Sequence, residues 1–472
     1  MRDCVRARVR ERERMGVVVL QVGQGGNQFG LSLFDALFSL TSSLANEFFR
    51  EPRRSADLPR ARAVLIDSEP KVVAAVKRRS RAMGYWRYGP YSSYTEDSGS
   101  GNNWAKGFCR LGPSWQDALS DLVRREVEMC DIFDGFITSQ SLAGGTGAGI
   151  GSYLLEVLKD EYPSCNTLSH CIWPLEGECT VQYYNVVLSI AHLCDVVDGL
   201  LLVKNETLMS TCKKALGIQR PSFDDMNTVG ARALASVLVP AYYQTKPKLT
   251  GLLKSSGKAA TTCKVKSSDC QSQMMSSTQV RILSDLVTGL CSHPKYRMLA
   301  LRNTPQVPTG LDNSTTHPWK SHLKQLKQML YMEPSWAMES TSSVHGHKCT
   351  SDYSAFRKID RCVANLLVLR GKGSSDADVS LLEDKALYPV WSKDPLMVAT
   401  NTAPLGDFHI FASLLSNCSS AIAPAAHALS RARAMHASKA YLYQYAKHGL
   451  SMDDFDTSFE AIEAVLEQYR EL

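Results

Sequence analysis

The segment best suited to chemistry is a glycine-rich turn, Ala143-Gly-Gly-Thr-Gly-Ala-Gly149, which lies between a predicted strand and a predicted helix. Glycines at such a junction let backbone N–H groups point at an anion, and the helix N-terminus adds partial positive charge. Two common phosphate loops are excluded. Ile150-Gly151 replace the Lys-Ser/Thr pair of a Walker loop, and Ile150 stands where a G-x-G-x-x-G pattern starting at Gly145 needs glycine. Alone, the turn is equally compatible with phosphate binding and with a tight, closely packed turn.

Amide-bearing loops after other predicted strands favour phosphate binding. Gln24 and Gln28 begin the first predicted helix and suit hydrogen bonds to phosphate or base. Gly99-Ser-Gly-Asn-Asn103 is a second loop of glycines and amides that could face the same ligand. Asn102 taken singly could be an ordinary turn residue, but several such loops in one domain indicate a nucleotide site.

Two acidic residues at the end of another predicted strand suit a metal ion. The carboxylates of Asp67 and Glu69 are the kind of ligand that Mg²⁺ or its bound waters prefer. The alternative for Asp67 alone is a helix cap.

The elements that must position these loops alternate between strands and helices along the first half of the chain. Short β-branched runs predict buried strands at 16–23, 62–67, 132–137 and 199–203, each ending near polar or glycine residues. This alternation predicts an α/β fold with a doubly wound, mostly parallel nucleotide-binding sheet. Ligands of such sheets bind over the carboxyl ends of the strands, where the polar loops lie.

The chain has a different character after about residue 240. Strand-like runs at 297–302 and 364–370 predict a second, smaller α/β domain. One apolar face predicts a packed C-terminal helix, with Phe455, Phe459, Ile462, Leu466 and Tyr469. We expect five segments: a disordered basic extension over 1–14, a nucleotide-binding domain over 15–245, a flexible Lys/Ser-rich insertion over 246–278, an intermediate α/β domain over 279–425, and C-terminal helices over 426–472.

The basic excess of the chain lies in two of these segments. Residues 1–14 carry six Arg against three acidic residues, and residues 246–278 carry six Lys against one Asp, so the rest of the +6 chain has a net charge of −2. A near-neutral body argues against nucleic acid as a partner. No apolar run approaches the roughly 18 residues of a membrane-spanning helix, which argues against membrane insertion. The 14 Cys show no zinc-ligand or disulfide spacing and predict free thiols in a reducing compartment.

Together these motifs resemble the tubulin family. Residues 143–149 are similar to the family signature, and further family loops match in the same order at 24–28, 67–70 and 99–103. The likeness extends from about Met15 to the C-terminus and is interrupted mainly at 246–278. Within the family the chain is most similar to the delta class, on the alanine that opens the signature and on residues 99–104, 364–371 and 386–388.

The resemblance implies that GTP or GDP is the ligand and that residues 15–245 form a GTP-binding domain. It implies that Asp67 and Glu69 hold Mg²⁺ or its waters. It places one set of residues around the phosphates: Gln24, Gly25, Gln28, Gly101, Asn102, Ala143, Gly144, Gly145, Thr146 and Gly147. It places a second set around the nucleoside, with Gln182 at the ribose, the amides of Asn205 and Asn227 at the guanine edge, and Phe223 stacked on the base.

The nucleoside set has ordinary alternatives. Phe223 and Asn227 are four residues apart, so one helix face can present both to a base, but singly they could be a core aromatic and a helix cap. Gly25 stands where the family usually has Cys or Ala. Gln182 occupies the position of a ribose-binding Glu, so its hydrogen bond would lack charge assistance.

In tubulins, by the same resemblance, hydrolysis needs a loop of the next subunit with a G-x-x-N-x-D pattern and, in alpha-tubulin, an activating Glu. The matching stretch here, Gln279-Val-Arg-Ile-Leu-Ser-Asp-Leu286, lacks that pattern, although Asp285 falls near the position of the Glu. We expect at most slow GTP hydrolysis, at a site completed by a neighbouring subunit. Asp285 either acts on the neighbour's nucleotide or is a surface helix carboxylate, and the second interpretation is favoured.

The resemblance implies a GTP-binding cytoskeletal protein of centrioles and basal bodies that supports triplet microtubules and ciliary function. The implied partners are other tubulins, epsilon-tubulin above all, and centriolar microtubules. The implied locations are the cytoplasm and cytoskeleton, the centrosome or centriole, the basal body, the cilium, and also the nucleus. One alternative is a GTP-dependent regulator of tubulin fold that never enters a lattice. A third interpretation, a nicotinamide-dependent dehydrogenase, is strongly disfavoured, because the G-x-G-x-x-G pattern of dinucleotide-binding proteins is not matched.

Overall fold

The computed structural model describes residues 15–40, 47–51, 57–239, 241–243, 282–307, 318–331 and 360–472. The predicted extension over 1–14 and the predicted insertion over 246–278 lie outside the described residues. The described strands are β1 (Met15–Val22), β2 (Phe49–Arg50), β3 (Arg60–Ala61), β4 (Ala63–Asp67), β5 (Ser93–Thr95), β6 (Ile132–Ser141), β7 (Asn166–Trp173), β8 (Gly199–Lys204), β9 (Tyr242–Tyr243), β10 (Met298–Thr304), β11 (Cys362–Gly371), β12 (Leu396–Asn401) and β13 (Ile410–Cys418).

Helices fill most of the connections between these strands. They are α1 (Gly23–Leu40), α2 (Pro70–Met83), α3 (Gly112–Val127), α4 (Gly151–Glu161), α5 (Gln182–Val196), α6 (Asn205–Lys214), α7 (Phe223–Leu238), α8 (Ile282–Leu290), α9 (Pro318–Tyr331), α10 (Ile422–Ala437), α11 (Leu442–Ala446) and α12 (Met452–Arg470). Short π-helical segments over Lys106–Leu111 and Thr146–Ile150 run directly into α3 and α4. None of the helices in these described ranges is long and apolar enough to cross a membrane.

The first half of the chain forms a parallel sheet in the order β5-β4-β1-β6-β7-β8. Every residue of β1 is buried because helices cover both faces of the sheet. Val17 and Val19 point toward α1 and α7, whereas Val18 and Leu20 point toward α3 and α4. Burying side chains of this size contributes about 1.5–3 kcal/mol each. The predicted doubly wound, mostly parallel α/β fold is confirmed.

The strands of the second half extend the same sheet. β10 pairs in parallel with β8 through two residue pairs, Met298 with Leu200 and Leu299 with Leu201. The sheet then continues in the order β13-β11-β12-β9, with antiparallel pairing on both sides of β13. The edge strand β9 lies within the segment predicted as the nucleotide-binding domain, yet it pairs with β12. The domain boundaries given above stay predictions.

The C-terminal helices pack on the first half of the sheet rather than standing apart. The predicted apolar face of α12 is buried along its length and faces α5 and α10. The rings of Tyr184 on α5 and Phe455 on α12 lie 4.9 Å apart between centroids. These helices therefore share one core with α5, whose N-terminus lies near the glycine-rich turn.

Candidate nucleotide-binding site

The glycine at the end of β1 brings the first helix against the glycine-rich turn. Gly23 has a φ of +72°, and a Cβ there would lie 2.8 Å from the backbone N of Gly147. One turn later, a Cβ at Gly26 would lie 2.0 Å from the carbonyl oxygen of Ser139 on β6. Only glycine fits at these two positions. The N-termini of α1 and of the helix after β6 therefore meet at one edge of the sheet.

A chain of buried hydroxyl groups joins three of the predicted loops. Ser68, just after β4, lies 2.7 Å from the hydroxyl of Thr146 in the glycine-rich turn. Thr146 Oγ1 donates in turn to Ser100 Oγ at 2.9 Å. All three side chains are buried. The loops that follow β4, β5 and β6 are therefore held together by side-chain hydrogen bonds, as their common place at the carboxyl ends of the strands predicts.

Asn185 on α5 joins two of these loops to the C-terminal helices. Its Nδ2 donates to the carbonyl oxygens of Asn102 at 2.8 Å and Ala143 at 2.6 Å. Its Oδ1 accepts the Trp104 N–H at 3.1 Å and the Tyr445 hydroxyl at 2.7 Å. Burial raises the pKa of Tyr445 well above its ordinary value, so this hydroxyl keeps its proton. The sequence prediction missed Asn185, whose only signal is its place one turn after Gln182.

The two central glycines of the turn have opposite surroundings. A Cβ at Gly145 would lie 2.6 Å from the carbonyl oxygen of Asn103, so this glycine is fully packed. A Cβ at Gly144 would meet only Asn102 Oδ1, at 3.9 Å. Gly101 and Asn102 both have left-handed backbone conformations, with φ of 60° and 50°. Gly144 is thus the least crowded glycine of the turn, with only the Asn102 side chain at van der Waals distance from the open side of its Cα.

The acidic pair lies at the same edge of the sheet. Asp67 is buried at the end of β4, where its Oδ1 accepts the Glu69 N–H at 3.2 Å. Its Oδ2 is buried without a well-aligned hydrogen bond from the described residues. Burial, reinforced by the nearby charge of Glu69, raises the pKa of Asp67 from 3.8 to about 6. Glu69 is half-exposed and pairs with Lys71 at 2.8 Å.

A hard cation fits this pair, because it would bind the buried Asp67 Oδ2 and offset the negative charge of the two carboxylates. The N-cap of α2 is Glu69, so Asp67 does not cap that helix. No group of three possible metal-ligating side chains occurs in the part of the chain that the structure describes. Two carboxylates are nevertheless enough for Mg²⁺, which commonly takes its remaining ligands from water and phosphate oxygens.

The predicted nucleoside residues lie at the starts of α5, α6 and α7. Gln182, Asn205 and Asn227 are buried, and Gln182 Oε1 accepts the Cys179 N–H at 3.2 Å. Ser222 caps α7, which excludes a capping role for Asn227. Phe223 is 49% exposed, which excludes a core role and leaves its ring available for stacking.

Helix α7 packs along α1, whose first turns carry three of the predicted phosphate residues. Gln24 is exposed and Gln28 is partly buried. Gly25 faces Ser141 at the end of β6, where a Cβ would approach the serine side chain to 3.2 Å.

Asp285 lies far from these loops. It is exposed on α8, and the N–H of Leu283, two residues earlier on this helix, donates to Asp134 Oδ2 near the start of β6 at 2.8 Å. Asp134 and Ser141 lie near opposite ends of β6 and are about 23 Å apart, because a strand rises about 3.3 Å per residue. Asp285 therefore cannot reach the loops of its own chain, and any role in hydrolysis requires a second subunit.

Comparison with known proteins agrees with this geometry. Residues 16–213 match the description "Tubulin/FtsZ family, GTPase domain". The chain is 34% identical to the tubulin delta chain of Homo sapiens over 487 aligned residues, which cover 96% of this chain and 99% of the relative. It is 34% identical to the tubulin delta chain of Mus musculus over 490 residues, covering 97% of this chain and 100% of the relative.

Tubulin beta chains also match, over shorter stretches. The tubulin beta-2 chain of Geotrichum candidum is 37% identical over 207 residues, which cover 43% of this chain and 45% of the relative. The resemblance read from the loops is thus confirmed along nearly the whole sequence, and the chain belongs to the tubulin family.

Proposed function

We propose that the chain binds GTP or GDP at the loops above the carboxyl ends of β1, β4 and β6. The observation that carries this proposal is the uncrowded Gly144 beside Asn102, in a turn whose neighbouring Gly145 and Gly147 are packed against backbone atoms. Two helix N-termini face this region, and both favour negative charge. Membership of the tubulin family supports a guanine nucleotide as the ligand.

At the phosphates, backbone groups carry most of the binding. Thr146 contributes its N–H, because its hydroxyl already bonds two serines. The exposed Gln24 and the partly buried Gln28 add amide donors from α1. At the nucleoside, Asn205 and Asn227 bind the guanine edge, Gln182 accepts from a ribose hydroxyl, and the exposed ring of Phe223 stacks on the base.

The acidic pair holds Mg²⁺ together with the phosphates. Asp67 and Glu69 bind the ion or its waters, and the ion neutralises phosphate charge. A bound cation favours the ionised form of Asp67, whose charge is otherwise penalised by burial. Affinity for the metal–nucleotide complex should therefore fall as pH falls below about 6.

Hydrolysis, where it occurs, is slow and requires assembly. Any catalytic role of Asp285 is on a neighbour's nucleotide, because Asp285 lies at the opposite end of β6 from the nucleotide-binding loops of its own chain. Its side chain is one methylene shorter than a Glu, which places its oxygens farther from a bound water.

In the cell, we propose a delta-tubulin-like cytoskeletal role at centrioles and basal bodies, with other tubulins and above all epsilon-tubulin as partners. Full-length similarity to tubulin delta chains supports this role. Tagged protein in dividing, ciliated cells should concentrate on centriolar walls. A uniformly diffuse signal would instead support a GTP-dependent regulator that stays outside the lattice.

Calorimetry tests the ligand. Purified protein should bind GTP more tightly than ATP by at least about tenfold, or ~1.4 kcal/mol. Gly144→Ala should weaken GTP binding by about tenfold while leaving the unfolding free energy nearly unchanged, because its methyl group would meet only Asn102 Oδ1, at the ordinary contact distance of 3.9 Å. Equal affinities for GTP and ATP would refute the guanine assignment. Unchanged GTP affinity in a folded Gly144→Ala protein would show that the phosphates do not bind beside Gly144.

A further inference from the structure

Two cysteines lie directly opposite each other at the end of the β11–β13 ladder. Cys362 is the first residue of β11, Cys418 is the last residue of β13, and the strand register pairs them. Ser419 N–H donates to the Arg361 carbonyl oxygen at 3.2 Å, just beyond the pair. The cysteines therefore occupy a non-hydrogen-bonded position, where opposite Cα atoms approach to about 4.5 Å. Disulfides form at Cα separations of about 4.4–6.8 Å.

The surroundings of the two thiols differ. Arg302 Nη1 lies 3.6 Å from Cys418 Sγ, and Ser420 Oγ lies 3.3 Å from it. The hydrogen bond with Cys362 and the Arg302 charge lower the pKa of Cys418 despite its burial. Cys362 Sγ donates to the Asp360 carbonyl oxygen at 3.3 Å, and the bond with Cys418 together with burial raises its pKa. Cys418, which lies beside the Arg302 guanidinium, is thus the more easily ionised thiol of the pair.

The buried pair lies at the end of the ladder, next to an exposed residue. Both cysteines are almost fully buried, but Arg361 beside them is exposed. The strand register shifts between Cys362 and Ala364, so the ladder is irregular there. Strand ends open at low free-energy cost compared with strand centres. Cys171 differs because it lies within β7, and burial raises its pKa to about 12.

We propose that Cys362 and Cys418 form a thiol pair that hydroperoxides oxidise to a reversible disulfide between β11 and β13. The Cys418 thiolate attacks the distal peroxide oxygen, the O–O bond breaks, and Cys418 sulfenic acid and an alkoxide or hydroxide form. Cys362 sulfur then attacks the sulfenic sulfur, its proton joins the departing hydroxyl, and water leaves as the S–S bond forms. The two sulfurs lose two electrons in total, and the peroxide gains them.

The disulfide fixes this end of the β11–β13 ladder. It joins the beginning of β11 to the end of β13 and reduces the conformational entropy of the unfolded chain. Oxidised protein should therefore unfold at a higher temperature than reduced protein. This device is independent of the nucleotide site, because the pair lies in the second half of the sheet.

Mass spectrometry of the folded, full-length protein tests the pair directly. Trypsin places the two cysteines in peptides 362–370 and 394–431, each of which contains no other cysteine. After treatment with hydrogen peroxide, alkylation and non-reducing digestion, these two peptides should appear linked, and dithiothreitol should separate them. Cys171→Ser should leave the linked product unchanged, whereas Cys362→Ser should abolish it.

The linked peptides are sought in the unsubstituted protein, so the test does not depend on whether a cysteine variant folds. Linked peptides in protein that retains its thermal transition support the proposal. Oxidation that stops at sulfenic or sulfinic acid on Cys418, or that links either cysteine to another partner, overturns it. Peroxide that leaves both cysteines open to alkylation after denaturation also overturns it.

Discussion

Replacing Asp67 by Asn tests the electrostatics of the acidic pair. Burial raises the pKa of this carboxyl from 3.8 to about 6, which corresponds to about 3 kcal/mol against the ionised form at neutral pH. The unfolded chain ionises at lower pH than the folded protein, so this cost is absent below pH 3.8, grows as pH rises, and is complete above about pH 6. Nucleotide-free Asp67→Asn should therefore be more stable than the unsubstituted protein at pH 7.5, by up to about 3 kcal/mol, and the advantage should vanish near pH 4.

Urea denaturation at several pH values measures this difference. The control is Asp160→Asn, which removes an exposed carboxylate on α4 and should give a difference within about 0.5 kcal/mol at every pH. Mg²⁺ with GTP should reverse the order, because the ion stabilises the Asp67 charge and the asparagine offers none. A stability difference between Asp67→Asn and the unsubstituted protein that is flat from pH 4 to pH 7.5 would refute the burial argument. So would an equal gain from Mg²⁺–GTP in both proteins.

Three further changes test the other parts of the site. Gly26→Ala should destabilise the fold by about 1–3 kcal/mol or more in urea, because its methyl group would overlap the Ser139 carbonyl oxygen; an unperturbed midpoint would contradict the packing. Asn205→Ala combined with Asn227→Ala should weaken GTP binding by about 1–3 kcal/mol per lost buried hydrogen bond, and an unchanged Kd in calorimetry would remove both from the site. Tyr445→Phe removes one hydrogen bond and should cost about 1 kcal/mol of stability. Purified monomer should turn over GTP very slowly in a phosphate-release assay, and rapid turnover by protein that stays monomeric would contradict a site shared between subunits.

The parallel sheet and its loops are predictable because their signals are local. β1 is a continuous apolar run, and Gly23 and the 143–149 turn are where strands give way to helices. Phosphate-loop chemistry needs small residues at such junctions, so the residue types alone indicate the place. The same holds for the C-terminal helix, whose apolar residues recur every three or four positions.

Contacts between distant parts of the chain were not predictable. Asn185 stands in an ordinary helical run, and its partners Asn102 and Tyr445 are 83 and 260 residues away in the sequence. A single buried amide gives no periodic signal. The extension of the first sheet by β10 depends likewise on pairing between strands about 100 residues apart, which residue preferences do not encode.

The narrow junction between β8 and β10 has a mechanical consequence. Two residue pairs join these strands, whereas six join β10 to β13. Helix packing supplies the rest of the connection, because α8 contacts β6 and β7 on one side of the junction and β11 on the other, and α7 contacts α1 as well as β10 and β13. A force that a neighbour applies to the far half is therefore transmitted to the glycine turns through these two helices more than through the strands.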